Sequence, residues 1–211
     1  FDSASLSSLL NDEEFTAKYG FTPITVKSVF IPNTYQYYWN TSAEDFFERQ
    51  YREYTKFWNE ERLEKAKNIG LTPIQVSILA SIVDQETNMV DEMPTVAGVY
   101  MNRLKRGQKL EADPTVIFAF GDFTVRRVRG NAMLNNPSLY NTYRHTGLPP
   151  GPICIPGPKE IDAVLNYEKH DYIYFCAKDD FSGYHAFAVT YSQHLQNARR
   201  FQKALNERNI R

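Results

Sequence analysis

The sequence predicts an α+β domain dominated by helices. Three observations carry that expectation: three capping-box patterns that each precede apolar residues at helical spacing, β-branched and aromatic runs near both ends of the chain, and a tract too rich in proline and glycine for a helix or a central strand. With 211 residues, 42% hydrophobic and 23% charged, the chain can bury a core of its own as one large or two small domains.

Taken in order, Leu6 to Tyr19 has the spacing of a short amphipathic helix closed by Gly20. Phe21 to Trp39 reads as extended segments interrupted by Pro23 and by a turn at Pro32-Asn33. Thr41 with Glu44 forms a capping box that opens a long helix through Phe46, Phe47, Tyr51, Tyr54 and Trp58, stopped by Gly70. Its charges, among them Glu60, Glu61, Arg62, Lys65 and Lys67, read as a solvated face. The next helix, Thr72 to Asn88, has the best-marked start: Thr72 as cap, Pro73 in the first turn and Gln75 three residues after the cap. A further helix opens at Met93-Pro94, carries a stripe of Val96, Val99, Tyr100 and Leu104, and ends at Gly107.

Asp113-Pro114 has the pattern of a cap and first-turn proline for a short helix closed by Gly121. Phe123 to Arg129, with Arg126, Arg127 and Arg129, reads as a solvated strand or loop or as a local basic patch. Gly147 to Pro158, GLPPGPICIPGP, is a shaped loop suited either to lining a groove or to connecting elements rigidly. Lys159 to Leu165 gives a short helix. Tyr172 to Ala177 and His185 to Thr190 give a hairpin, and the Thr190–Gln193 box opens a final helix with Leu195, Ala198, Phe201 and Leu205 on one face.

Charge and composition narrow the function classes. The balance of 24 Lys+Arg against 25 Asp+Glu gives a formal charge of −1, which supplies no global pull toward nucleic acid or an anionic membrane. Cys154, Cys176 and the four scattered histidines have no ligand spacing, so no metal or other cofactor is implied. No run approaches the ~20 apolar residues of a membrane span, and no signal peptide is visible. A chain beginning at Phe1 reads as a trimmed or processed form, from which an anchor or export signal can have been removed.

One residue is out of place. At about 100° per residue, Leu79, Ile82, Val83 and Glu86 share one stripe, whereas Asp84 points away. A carboxyl continuing an apolar face is desolvated, which raises its pKa and suits it to general acid chemistry. The alternative is that Glu86 ends the helix at the surface or pairs with an arginine.

The ordered series LASIVDQET, VYMNRLKRGQKLEADPTVIFAFG, YNTYRHTGLPPGPICIPG and YIYFCAKDDFSGYHAF resembles the YceG-like family of bacterial endolytic murein transglycosylases (MltG), over roughly Phe30 to Asn206. The resemblance implies a lysozyme-like catalytic core over residues 30–211, preceded in residues 1–29 by the tail of a small LysM-like subdomain or a linker. It implies cleavage of the β-1,4 bond between N-acetylmuramic acid and N-acetylglucosamine in peptidoglycan glycan strands, leaving 1,6-anhydro ends. It also implies a cell-envelope location, on the extracytoplasmic face of the cytoplasmic membrane, through an N-terminal helix absent from this chain, and cell-wall synthesis enzymes as partners. The family's Glu-Thr pair falls on Glu86-Thr87, which makes Glu86 the single acid/base. Asp84, shorter than the glutamate many relatives have there, is doubtful as a participant. Asn102, Asp113, Thr115, Asn141, Tyr143 and His185 are the matched candidates for lining the cleft, and Tyr140 and the Gly147–Ile153 loop for its wall. A hydrolytic muramidase, with Glu111 or Asp113 as second carboxylate, and a non-catalytic glycan-binding protein are the rival readings. A nucleic-acid module is the weakest, given the charge balance.

Overall fold

The computed structural model describes residues 1–125, 128 and 131–208. The helices are α1 (Ser3–Leu10), α2 (Glu13–Lys18), α3 (Ala43–Phe57), α4 (Glu60–Asn68), α5 (Pro73–Glu86), α6 (Met93–Lys105), α7 (Asp113–Phe120), α8 (Asn131–Leu134), α9 (Pro158–Leu165) and α10 (Tyr191–Glu207). A 3-10 turn covers Val26–Val29, and strands β1 (Tyr174–Ala177) and β2 (His185–Ala188) form an antiparallel hairpin with Phe175 opposite Phe187. The fold class is therefore α+β and helix-dominated, as expected.

The core is built around α5. Its capping box forms as the sequence predicts: Gln75 N donates to Thr72 Oγ1 at 3.2 Å and Thr72 N to Gln75 Oε1 at 2.9 Å. Every residue from Val76 to Val83 is buried, so the helix is enclosed on all sides rather than along the narrow stripe its wheel suggested. It packs against α6 and α9, with α4 and α7 at its flanks. Among the described residues no single helix is long and apolar enough to cross a membrane; the α4–α5 pair has the composition but bends by 78°, and α5 is the centre of the core.

A second apolar cluster gathers Phe21, Val26, Val29 and Phe47, with Phe15, Tyr19 and Tyr51 packed on it, and so ties the N-terminal residues to α3. Tyr19 meets Phe47 and Tyr51 edge-on, both at 4.9 Å, the geometry aromatic pairs prefer.

Several element boundaries differ from the sequence expectation, each for a local reason. The first helix is two, because Asp12 Oδ1 accepts from Phe15 N at 3.0 Å and caps a new start. The long helix from Thr41 is also two: Ser42, not Thr41, caps α3, and Asn59 Oδ1 takes Arg62 N at 3.0 Å to start α4, while Trp58 leaves helical geometry and buries its ring. Phe21 to Trp39 contains the 3-10 turn and no strand; Phe21, Phe30 and Tyr37 pack on α3 aromatics instead of the segment pairing with a backbone, and Tyr38 and Trp39 are exposed. Asp113 is the first helical residue of α7 and not its cap, which is Ala112. Gly121, at φ +79°, ends α7 in the left-handed conformation only glycine adopts without strain. Arg126, Arg127 and Arg129 lie outside the described residues.

Candidate active site

Glu86 is the last residue of α5, and Thr87 turns the chain into extended geometry immediately after it. The helix that buries Val83 therefore carries the Glu86 carboxyl to the end of the core, where it meets an open cleft of about 290 Å³. Tyr100 Oη donates to Glu86 Oε1 at 2.6 Å, from a fully buried position on α6. Asp113, Tyr143, Arg103, Glu111, Tyr174 and Phe175 complete most of the lining.

Burial pushes the Glu86 carboxyl up to about 7 from an ordinary value of 4.5. The negative charge of Asp113 adds to the rise, while the Tyr100 hydrogen bond and the Arg103 cation oppose it. Arg103 does not form an ion pair with Glu86. Its Nε donates to Ile173 O at 2.7 Å, and its Nη1 donates to Leu110 O at 2.8 Å and to Glu111 Oε2 at 3.0 Å, tying α6 to the approach of β1.

The sequence candidates separate into two groups. Asp113 and Tyr143 stand in the cleft with Glu86, and Tyr143 Oη donates to Asp113 Oδ1 at 2.6 Å. The other four sit behind the lining. Asn102 Nδ2 donates to His170 O at 2.7 Å and Tyr172 O at 3.0 Å. Thr115, wholly buried, donates to Ala112 O at 2.7 Å and lies 2.8 Å from Thr142 Oγ1. Asn141, also wholly buried, donates to Leu134 O and Asn136 O and accepts from Tyr143 N at 3.1 Å, so it holds the backbone from which Tyr143 reaches the cleft. His185 Nδ1 and backbone N meet the buried Glu92 carboxylate at 2.8 and 2.7 Å.

Glu92 is a residue the sequence reasoning missed. Thr87 Oγ1 donates to Glu92 Oε2 at 3.2 Å, so one carboxylate joins the residue after Glu86 to strand β2. Its partner is 93 positions away, and nothing local marks it. In the sequence Tyr100 belongs to the apolar stripe of its helix, and its place on the helix after the Glu86 loop is the signal that points to the acid. Asp84 accepts from Cys154 Sγ at 3.3 Å, away from the cleft lining. The Gly147–Ile153 loop is pinned to α5 through Ile153 N to Ser81 Oγ at 3.0 Å, and Ile153 lines a smaller cavity with Gln85 and Phe118. Tyr140 packs on Phe118 at 4.7 Å.

Fold and site together define a helix-dominated α+β domain with one desolvated acid at the floor of an open groove. The model of the YceG-like family matches residues 3–200, and the chain belongs to that family. It is 31% identical over 169 residues to an endolytic murein transglycosylase of Bacillus subtilis (strain 168), covering 80% of this chain and 46% of the relative. It is 33% identical over 116 residues to an endolytic murein transglycosylase of Streptococcus pneumoniae serotype 2, covering 54% of this chain and 21% of the relative. The chain thus spans less than half the length of these curated relatives. A crystal structure of a yceG-like protein, lmo1499 from Listeria monocytogenes, superposes with a TM-score of 0.77 at 27% identity, over 93% of this chain and 67% of the other.

Proposed function

We propose that this domain cleaves the β-1,4 bond between N-acetylmuramic acid and N-acetylglucosamine within peptidoglycan glycan strands, with Glu86 as the single acid and base. The observation that carries the reading is the Glu86 carboxyl, held near neutrality at the floor of the cleft with one oxygen bound by Tyr100. Protonated Glu86 gives its proton to the glycosidic oxygen as the bond to the anomeric carbon breaks through an oxocarbenium-like state. The carboxylate left behind takes the proton of the muramic acid 6-hydroxyl, whose oxygen closes on the anomeric carbon as the 1,6-anhydro ring. No water is consumed and no protein nucleophile is needed. The similarity to endolytic murein transglycosylases supports the substrate. An extracytoplasmic place at the cell membrane, residues 1–29 as the tail of a LysM-like unit, and partners in wall synthesis belong to the same proposal.

A second reading has one observation in its favour: Asp113 lines the same cleft, and a hydrolase normally uses a second carboxylate. Mass spectrometry of products from purified peptidoglycan separates the two. Anhydro ends, each one water lighter than a reducing end, are expected; reducing ends would make the domain a hydrolase, and no products at all would make it a binding protein.

Since the acid form is required first, activity is expected to fall tenfold per pH unit as pH rises above about 7. The Tyr100 hydrogen bond favours the ionised carboxylate, so Tyr100→Phe is expected to move that alkaline limb upward and, by making the carboxyl a weaker acid, to slow the step in which it gives its proton. A pH profile of initial rates checks both; a limb that stays in place would remove Tyr100 from the proton inventory.

A further inference from the structure

One wall of the cleft is a run of planar groups drawn from three elements. The Arg103 guanidinium lies 5.4 Å from the ring centroid of Tyr174. His194 of α10 stacks on Tyr174 at 5.3 Å with 21° between the planes. Tyr191 closes the run, 5.9 Å from Tyr174 and 6.2 Å from His194. All four line the same cleft as Glu86.

Two features suggest that the end of this run is built for a ligand. Tyr191 is 60% exposed, although it sits at the first position of α10, where the Thr190–Gln193 capping box fixes the backbone. Its ring therefore projects from a fixed backbone position and is left largely uncovered. His194 Nδ1 is buried with no hydrogen-bond partner among the described residues, and burial lowers the pKa of the ring, so the wall gains no charge from it. Arg103 is committed to backbone carbonyls and Glu111. At its Tyr191 end the wall presents aromatic faces to the groove, while Arg103 stands at the Tyr174 end and Glu111 and Asp113 line the same cleft. The faces of a pyranose, lined with C–H groups and edged with hydroxyls, match the aromatic faces, and the polar groups beside them can meet the hydroxyls.

We infer that Tyr191, backed by Tyr174 and His194, forms a sugar-stacking subsite that holds a hexopyranose unit of the glycan to one side of the bond presented to Glu86. The inference rests on the proposed function for the identity of the strand, and it adds a binding residue on α10.

The test measures binding without turnover, in the Glu86→Gln background, using peptide-free glycan strands and the β-1,4-linked tetramer of N-acetylglucosamine as probes in calorimetry. Adding Tyr191→Ala is expected to weaken binding about tenfold, and adding Tyr191→Phe, which keeps the ring face, less than twofold. In the active background the Tyr191→Ala loss is expected in KM more than in kcat, since a unit beside the reacting bond is held alike in ground and transition states. Unchanged affinity in the Tyr191→Ala double variant would overturn the subsite and leave the Glu86 chemistry standing. Absence of both binding and cleavage by the parent protein would overturn the proposed function along with it.

Discussion

Under the proposed mechanism, Glu86→Gln is expected to lower the rate of glycan cleavage by about a thousandfold or more, because the amide keeps the shape of the side chain and loses the proton that mechanism has it give and retake. The same substitution is expected to stabilise the fold at alkaline pH. In the unfolded chain the carboxyl ionises near 4.5, and in the folded protein only near 7. Below 4.5 it is protonated in both states and costs nothing. Between those values the unfolded state alone releases its proton, so stability is lost as pH rises through this window, up to about 3 kcal/mol at 1.36 kcal/mol per unit. Glutamine has no proton to lose. The melting temperature of the variant should therefore exceed that of the parent at pH 8 and match it at pH 4, whereas an advantage that is the same at both values would mean that Glu86 is not desolvated.

Glu92→Ala carries the second large expectation. The Glu92 carboxylate is buried and receives Thr87 Oγ1 together with the backbone N and ring Nδ1 of His185. Removing it strands three groups away from water, at a cost on the order of 3 kcal/mol, and releases the residue that follows Glu86 from the hairpin. Thermal unfolding should show the loss of stability, and turnover should drop as the acid loses its fixed place. Glu92→Gln, which preserves an acceptor for His185 N, should fall between parent and alanine. A Glu92→Ala protein with parental stability would show that the hairpin docks by other contacts.

What could be read from the sequence was what neighbours in the chain decide. The Thr72–Gln75 and Thr190–Gln193 boxes, the Gly121 stop and the place of Glu86 at the end of an apolar helix all depend on residues three or four apart, and all are present in the structure. The breaks at Asp12 and Asn59 were missed because each residue reads equally well as a polar position inside a longer helix; burial of the Trp58 ring decides the second. Phe21 to Trp39 has strand composition, yet it finds a helix as its partner, and a strand needs another backbone. Within the cleft, Asp113 and Tyr143 meet across 30 positions, and the Arg103 contacts with Ile173 across 70, beyond the reach of any periodicity. Asn141 and Thr115 are polar and yet wholly buried, and only the three-dimensional arrangement distinguishes residues that brace a groove from residues that face it.

The two hydrogen bonds that frame Glu86 differ in how far along the chain they reach. Tyr100 is 14 positions from the acid, whereas Glu92 and His185 are 93 apart. For a flexible chain the ratio of these loop lengths alone makes the second closure costlier by ~1.7 kcal/mol. The acid and its tyrosine can thus come together as soon as α5 and α6 pack, while the latch behind them waits for the hairpin near the end of the chain. During synthesis, the acid and its tyrosine come together before the surrounding geometry is locked, and the Glu86 cleft acquires its final shape only once almost all of the domain has emerged.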